Sequence, residues 1–370
     1  MMNKCLSEPN AEWYTYSGIN DDVVVSTRIR FARNLADFPF PNNFKGDDAN
    51  RIKTLVFDSF SKNSENEVYQ TVSLADVNDL GGKMLNERGL ISSKSITNPY
   101  VGLVMRISGT RPNSGLVCTI NEVDHVRISS FVAGLDVENA YSMCKEVDEI
   151  LQNSLQFAAS YDFGYLTTAV KDLGSGMKIS ARVHLPSVVF LGRHNSLFSE
   201  IKKQGFSISA SFGSTILGNT SVGDYYQICN LTSQAGSELE QMAAFVACIK
   251  NIIKQEQCFR KECLEQRSTE VHNRILRSYY ISKTSLLITF REAIQLISDI
   301  KWGLNIGILS GIKDNELSAL LFRIQEAHLL TVIKNGTFKF PNDIAGNDKI
   351  ETERLRAIII QDILENIFIK

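Results

Sequence analysis

Residues 237–302 constrain the fold of this chain more than any other segment, because they contain neither glycine nor proline. A run of this length without a helix breaker is typical of helices. The apolar residues within its first part recur at the spacing of one helix face, at Leu239, Met242, Val246, Ile249 and Ile253. Gly236-Ser237-Glu238 supplies a capped start. We therefore predict one long helix followed by further helices.

The residues before this stretch alternate between strand and helix patterns. Helical spacing occurs over 48–63 and 137–157. Apolar or β-branched runs predict strands over 23–30, 101–107, 114–120, 165–168, 178–185, 206–212 and 225–230, with a hairpin turn at 109–113. Strands, hairpins and helices in this order indicate an α+β fold in which helices cover a sheet.

Three regions follow from these patterns. Residues 1–22 are polar and predict a loosely docked N-terminal arm, and residues 23–256 form the sheet-containing domain. Residues 257–370 form a mostly helical C-terminal domain, with the boundary placed near 255–262, where polar residues are dense. A turn is expected near Asn335-Gly336 and a loop over 341–348.

Composition excludes several classes of function. The net charge of −2 gives no overall field that would attract nucleic acid or an anionic membrane. The chain has no apolar run long enough to span a membrane and no secretory signal pattern. Its seven cysteines are scattered, without the spacing of a zinc site, and indicate reduced thiols in a cytoplasm. Any binding of phosphate must therefore come from a local cluster of cations.

Three runs of residues carry the chemistry. The first is Ser26-Thr27-Arg28-Ile29-Arg30, in which both arginines face one side of a strand because they are two residues apart. The second is Asn121-Glu122-Val123-Asp124-His125-Val126-Arg127-Ile128. The third runs from Gly164 to Lys178 and continues to His184-Leu185-Pro186. Taken alone, Arg28 and Arg30 are also compatible with exposed charges on an edge strand.

Together these runs resemble the ATP:guanidino phosphotransferases (phosphagen kinases), and most closely the bacterial protein-arginine kinase branch. The resemblance implies an antiparallel sheet flanked by helices, with ATP and Mg as cofactor and no metal site built by the protein itself. In such enzymes arginines from several strands hold the phosphates, and carboxylates orient and deprotonate the guanidinium. Arginine suits phosphate because its planar fork donates two hydrogen bonds at once.

The resemblance assigns site residues position by position. The expected nucleotide-binding residues come from three runs and are Ser26, Thr27, Arg28, Ile29, Arg30, Arg127, Lys178, Ile179, Ser180, Ala181 and Arg182. The expected catalytic remnants are Glu122 and Asp124. An alternative for these two acids is a structural role in hydrogen bonding at the end of a strand.

Several family positions hold a different residue here. Val123 stands where the family has the second glutamate of its N-E-E-D-H run, and Ala169 where it has a reactive-site cysteine. Val170 and Asp172 replace a proline and an asparagine, and Lys178 replaces a phosphate-binding arginine. No Glu or Arg occurs in 206–230, and the family's arginine and glutamate positions fall at Phe212, Leu217 and Thr220. Losing one base or positioning group typically costs about 10²–10⁴-fold in rate.

The C-terminal domain extends the resemblance to the bacterial branch. Ser268–Tyr280, with Arg274 and Arg277, and Ile300–Gly307 resemble two of its motifs. In that branch an arginine-and-acid motif binds phosphoarginine as an allosteric signal. The matching stretch, 351–361, keeps Arg354 and Arg356 but has Thr352-Glu353 where an Arg-Asp pair is expected. The resemblance therefore gives no firm expectation of phosphoarginine sensing.

Three interpretations stay open from the sequence. The first is a degenerate kinase that keeps a nucleotide site, has lost or strongly reduced activity, and acts as a partner in protein quality control. The second is an active protein-arginine kinase that modifies arginine side chains of a protein substrate. The third is a structural or oligomerisation protein without ATP. The branch typically works with a zinc-binding activator and a Clp-type unfoldase, and a homodimer is compatible with the sequence.

Overall fold

A computed structural model describes residues 13–62, 68–108, 114–213 and 221–370. The predicted turn at 109–113 and the positions Leu217 and Thr220 lie outside these ranges. The strands of the described residues are β1 (Val24–Arg33), β2 (Val68–Ser73), β3 (Gly102–Ser108), β4 (Ser114–Ile120), β5 (Val126–Ala133), β6 (Ala159–Ser160), β7 (Gly164–Tyr165), β8 (Met177–His184), β9 (Phe206–Ala210), β10 (Tyr225–Asn230), β11 (Leu309–Ser310) and β12 (Phe368–Ile369).

The helices of the described residues flank the sheet that these strands form, and they make up most of the C-terminal half. They are α1 (Gly46–Lys62), α2 (Asp79–Glu87), α3 (Val137–Gln152), α4 (Pro186–Phe190), α5 (His194–Lys203), α6 (Glu238–Thr284), α7 (Phe290–Asn305), α8 (Asp314–Arg323), α9 (Glu326–Asn335) and α10 (Asp348–Leu364). The α+β prediction and the helical C-terminal region are confirmed.

A single eight-stranded sheet organises the N-terminal half, with the order β2-β3-β4-β5-β1-β8-β10-β9. Its neighbouring strands pair antiparallel throughout. β1 lies in the interior of the sheet, between β5 and β8, so its arginines are not on an edge strand. The first arginine run therefore has neighbouring strands on both sides that can add further side chains to the same face.

The two faces of the sheet have different roles because side chains alternate along each strand. On one face Ile29 and Phe31 of β1 pack with Ile179 of β8 in a core that also holds Cys144 of α3 and Phe245 of α6. The opposite face carries Arg28 and its neighbours, and beside it a second core extends into the C-terminal helices. Burial of the first face fixes the register, which in turn fixes the direction of the arginines.

Helix α6 contains 47 residues and begins with a capping box between Ser237 and Glu240. It continues without interruption through 255–262, where the domain boundary was placed, and bends at Arg267, whose φ and ψ are −137° and 36°. The long breaker-free stretch thus forms this helix and, after a short connection, α7.

The predicted strand over 165–168 is shorter than expected, since pairing stops at Tyr165. The Leu166 amide still donates to the backbone carbonyl of Ala158 at 2.9 Å, while its carbonyl accepts from the Asn34 side chain. The amide of Thr168 donates to the Asp124 side chain, so side-chain partners take over from backbone pairing after Leu166.

The C-terminal helices contact the sheet domain through ionic and aromatic groups. The carboxylate of Glu87, at the end of α2, accepts from the backbone amides of Ala327 and His328 at 2.7 and 3.1 Å, which caps α9. Tyr14 stacks on Phe322 of α8 with 4.3 Å between ring centroids. Within the described ranges, no helix is both long and apolar enough to cross a membrane.

Candidate active site

A cavity of about 350 Å³ opens on the polar face of the sheet. In the β1–β8 pairing, Arg30 lies opposite Lys178, Arg28 opposite Ser180, and Ser26 opposite Arg182. Because successive strand residues face opposite sides, these paired positions all point to one face. They line the cavity together with Gln227 and Cys229 of β10. The structure thus brings together cations that are 150 residues apart in the chain.

The rest of the cavity lining comes from residues outside the three sequence runs described above. It is formed by Trp13, Glu87, Arg88, Gly89, Phe131 and Phe322. Trp13 precedes the sheet, Arg88 follows α2, and Phe322 belongs to the C-terminal helix α8. Phe131 belongs to β5 and lies opposite Arg28 in the β1–β5 pairing. No local motif marks these residues.

One part of the predicted binding set needs correction. Thr27, Ile29, Ile179 and Ala181 have no exposed surface and lie on the opposite face of the sheet. The Thr27 hydroxyl donates to the carbonyl of Gly134 at 2.6 Å, and the other three belong to the core. Side chains alternate between the two faces of a strand, so only every second residue of each five-residue run reaches the cavity.

Three of the cavity-lining arginines, Arg28, Arg30 and Arg182, carry a buried donor that no acceptor satisfies. Burial and the nearby charges of Arg30 and Arg127 lower the pKa of Arg28 to about 9. Burial lowers the pKa of Arg182 to about 10. The Nε atoms of Arg28, Arg30 and Arg182 are buried without a hydrogen-bond acceptor. Buried donors of this kind are costly unless a ligand or water satisfies them, and an anion would also offset the repulsion between the cations.

Aromatic rings hold two of these guanidinium groups in place. The Arg28 guanidinium lies 4.8 Å from the Phe131 ring centroid, and its Nη2 donates to Ser129 Oγ at 3.0 Å. Arg182 lies between two rings, with Phe212 at 5.1 Å and Phe322 at 5.8 Å. Such contacts orient an arginine while leaving donors for a ligand. Phe212, which stands at a family arginine position, therefore supports Arg182 and adds no charge.

Arg30 differs from Arg28 and Arg182 because a carboxylate lies directly beside its guanidinium. Its Nη2 lies 3.3 Å from Oδ2 of Asp172, and both side chains are largely buried. Asp172 stands where the family has an asparagine. An additional carboxylate at this point competes with any phosphate for Arg30.

Asp124 is fully buried and its carboxylate has three donors. Oδ1 accepts from Asn34 Nδ2 at 3.0 Å and from the Thr168 amide at 2.8 Å. Oδ2 accepts from Arg127 Nε at 3.0 Å. A carboxylate held in this way positions β5 and the 166–168 segment, which favours the structural alternative for Asp124. It has no exposed lone pair for a substrate.

The carboxylate oxygens of Glu122 also have partners within the protein. Its Oε1 accepts from the Ser92 amide at 2.6 Å and from the Ser95 hydroxyl at 3.0 Å, and its Oε2 lies 3.8 Å from Arg127. Arg127 is therefore held between two acids and does not line the cavity, although its charge acts on Arg28 and Arg30. Between the two acids, Val123 presents an apolar side chain that is 38% exposed.

The segment with the missing cysteine forms a short 3-10 turn, Val170–Asp172, directly after Ala169. Asp172, at the end of this turn, carries the carboxylate that pairs with Arg30. A thiol does line the cavity, but it belongs to Cys229 on β10. No group of three or more potential metal ligands occurs within the described ranges.

The C-terminal arginines have structural partners. Arg356 is buried and donates to the carbonyls of Ile324 and Ile288, each at 2.9 Å. Arg354 donates to the Leu286 carbonyl at 3.1 Å. Arg274 lies between Asp299 and Asp224, at 2.7 and 3.0 Å, and so ties α6 and α7 to the start of β10.

Comparison with solved structures defines the class of fold. The chain is similar to the crystal structure of lombricine kinase, with a TM-score of 0.55 and 18% identity, covering 70% of this chain and 72% of that one. It is also similar to the duplicated taurocyamine kinase of Schistosoma mansoni, with a TM-score of 0.56 and 16% identity, covering 75% of this chain and 42% of that one. The fold is that of the phosphagen kinases.

Sequence comparison is more specific. Residues 51–259 match the profile of the ATP:guanido phosphotransferase C-terminal catalytic domain, and residues 268–367 match that of the protein-arginine kinase McsB C-terminal domain. Protein-arginine kinases from Syntrophomonas wolfei and Halothermothrix orenii are 32% and 31% identical to the chain. These matches cover 83% and 89% of this chain and 85% and 91% of the relatives. The chain belongs to the ATP:guanido phosphotransferase family, in its protein-arginine kinase branch, as its motifs predicted.

Proposed function

We propose that this protein binds ATP with Mg in the cation-lined cavity and that its transfer of phosphate to arginine is lost or strongly reduced. The proposal rests on the difference between the cations and the acids of this site. Arg28, Lys178 and Arg182 line an open cavity, whereas the acids expected to act on the guanidinium are engaged in structural contacts.

Nucleotide binding is supported by the donors that face the cavity. A triphosphate offers several anionic oxygens, and Arg28, Arg30 and Arg182 each have a buried Nε without an acceptor. Lys178 adds a charge without the bidentate fork of arginine. The Mg ion would arrive with the phosphates, as in other phosphoryl-transfer enzymes. The residues present therefore fit an anionic ligand, with weaker affinity than a site built from arginine alone.

Loss of phosphate transfer is supported by the contacts that the acidic side chains already make. A guanidinium has a pKa above 12 and becomes a nucleophile only when carboxylates orient it and accept its proton. Asp124 already accepts three hydrogen bonds, and Glu122 is held by Ser92 and Ser95. Asp172 is paired with Arg30. Val123 removes a further carboxylate from the same site.

The second candidate is an active protein-arginine kinase that modifies a protein substrate. It is favoured by the names of relatives that align over most of their length. For activity, Glu122 or Asp172 would have to leave its present partner when substrate binds. If the protein binds ATP without transferring phosphate, we propose that it acts as a partner in protein quality control. Its partners there would be a zinc-binding activator and a Clp-type unfoldase. A structural protein without ATP is the third.

The test is MgATP titration by isothermal calorimetry. Arg28→Ala removes a charge-assisted phosphate contact of about 1.5–3 kcal/mol, so the variant should bind at least about tenfold more weakly. Arg193→Ala is the matched control, because Arg193 is an exposed arginine whose ion pair is with Glu262 on α6. It should bind like the wild type.

Two results would contradict the proposal. Equal affinity for the wild type and Arg28→Ala would place ATP elsewhere on the molecule. Undetectable binding by the wild type at millimolar ATP would favour the structural interpretation.

A further inference from the structure

The thiol of Cys229 lies in a setting unlike that of the other described cysteines. Cys229 is half-buried on β10, lines the cavity, and has its Sγ 2.9 Å from the Ser207 hydroxyl. In the β8–β10 pairing it lies opposite Ser180. Of the remaining described cysteines, only Cys258 is exposed, on α6, and it does not line the cavity.

Buried cysteines elsewhere in the chain are poor nucleophiles. Burial raises the pKa of Cys144 to about 12, and that of Cys248 and Cys263 to about 11. Cys118 is shifted in the same direction for the same reason. Because the thiolate is the reactive form, these residues are inert toward disulfides. Among the described cysteines, a thiol reagent can therefore react with Cys229 or with the exposed Cys258.

The surroundings of Cys229 select anions. Burial lowers the pKa of Lys178, and among the neighbouring charges that of Cys229 raises this pKa most. Ser180 is buried, with 8% of its surface exposed, and lines the cavity. The unmet Nε donors of Arg28 and Arg182 border the same space. A reagent that carries carboxylates would find donors there before it reached the sulfur.

We propose that Cys229 is a site of reversible thiolation by small anionic disulfides, and that the resulting adduct occupies the phosphate-binding cavity. The thiol loses its proton to solvent, and the thiolate attacks one sulfur of the disulfide. A new bond forms between Cys229 Sγ and that sulfur while the original disulfide bond breaks, and the other half leaves as a thiolate. The reagent is the oxidant, so the exchange needs no further electron acceptor.

This inference is independent of whether ATP is the natural ligand, because it uses only the cations and the thiol. It has a consequence for the proposed function, however. A carboxylate-bearing group attached to Cys229 would contact Lys178 and the arginines and would fill part of a cavity of about 350 Å³. Phosphate would then be excluded until a reducing thiol removed the adduct.

The experiment compares two aromatic disulfides, the dianionic 5,5′-dithiobis(2-nitrobenzoate) and the neutral 4,4′-dithiodipyridine. Labelling rates of individual cysteines in the full chain are measured by peptide mass spectrometry at low and high salt. A focused positive field raises encounter rates with anions by about 10–10³-fold, and salt screens it. The ratio of anionic to neutral rates should therefore be at least about tenfold larger at Cys229 than at Cys258, and it should fall at high salt.

Variants and ligands complete the test. Cys229→Ser should abolish the salt-sensitive labelling, Cys258→Ser should leave it intact, and Lys178→Met should lower the rate ratio at Cys229. Inorganic pyrophosphate should slow labelling of Cys229 and not of Cys258. Equal rate ratios at the two cysteines, or no protection by pyrophosphate, would overturn the inference. Anion-selective labelling that pyrophosphate slows but MgATP does not would keep this inference and contradict ATP binding in the cavity.

Discussion

Asp172→Asn should strengthen nucleotide binding while weakening the fold, because Asp172 is an internal competitor for Arg30. The two charges lie 3.3 Å apart. At an effective dielectric constant of about 20, their attraction is about 5 kcal/mol before desolvation is subtracted. A hydrogen bond to a charged group contributes about 1.5–3 kcal/mol net, and a phosphate must overcome this amount to recruit Arg30.

Asparagine keeps an oxygen for Arg30 and removes only the negative charge. We therefore expect MgATP to bind Asp172→Asn about tenfold more tightly than the wild type, which corresponds to about 1.4 kcal/mol. The same change removes the carboxylate nearest to Arg30 while keeping a hydrogen-bond acceptor, so the free energy of unfolding should fall by about 1–3 kcal/mol. Calorimetry measures the first quantity, and urea unfolding followed by circular dichroism measures the second.

Asp162→Asn is the matched control, since Asp162 is an exposed acid and its replacement changes the net charge equally. That variant should alter neither affinity nor stability. Affinity in Asp172→Asn equal to or lower than that of the wild type, with the fold intact, would refute the view that Asp172 competes with phosphate.

Further predictions concern stability, pH and catalysis. Asp148→Ala should lower the free energy of unfolding in urea by about 3–5 kcal/mol, because it removes the counter-ion that lies 2.8 Å from the buried Arg33. A loss below about 1 kcal/mol would contradict this. Burial and the nearby charges of Arg88 and Arg323 lower the pKa of His328 to about 4, whereas in the unfolded chain the pKa is about 6.5. The folded state therefore keeps its full stability above pH 6.5 and loses stability as the pH falls from 6.5 toward 4, because the unfolded chain binds the proton first. The melting temperature of the wild type should accordingly fall more than that of His328→Gln between pH 7 and pH 5, and parallel curves would show that His328 is not responsible. Val123→Glu alone should not produce phosphoarginine, because Glu122, Asp124 and Phe212 keep their present contacts; robust product from this variant would show that one carboxylate was sufficient.

Periodicity in the sequence predicted the α+β fold and the helical C-terminal region, because such patterns act over short distances in the chain. The grouping of Arg28, Arg30, Arg127 and Lys178 in one site came from the family resemblance, and Arg127 does not line the cavity. The sequence did not show that Phe322 and Trp13 complete the cavity, or that Asp172 pairs with Arg30. Arg30 and Asp172 are 142 positions apart, and Phe322 meets Arg182 across 140 positions. Such contacts depend on how segments dock on a sheet whose order no local pattern encodes.

Glu122 and Asp124 illustrate the limit most clearly. Their types and spacing are compatible with either catalysis or structure. The choice depends on donors supplied by distant segments, such as Ser92 and the Thr168 amide. Cys229 is a similar case, since half-burial in a cavity wall is a property of the folded sheet.

Detection of phosphoarginine tests the central claim most directly. The wild-type protein is incubated with MgATP labelled at the γ-phosphate and an arginine-rich protein substrate, and the acid-labile product is quantified beside an intact protein-arginine kinase. We predict that the product is absent or slower to form by orders of magnitude, because no free carboxylate at the described site orients and deprotonates the guanidinium. Robust phosphoarginine formation by the wild type that is lost in Arg28→Ala would contradict this claim.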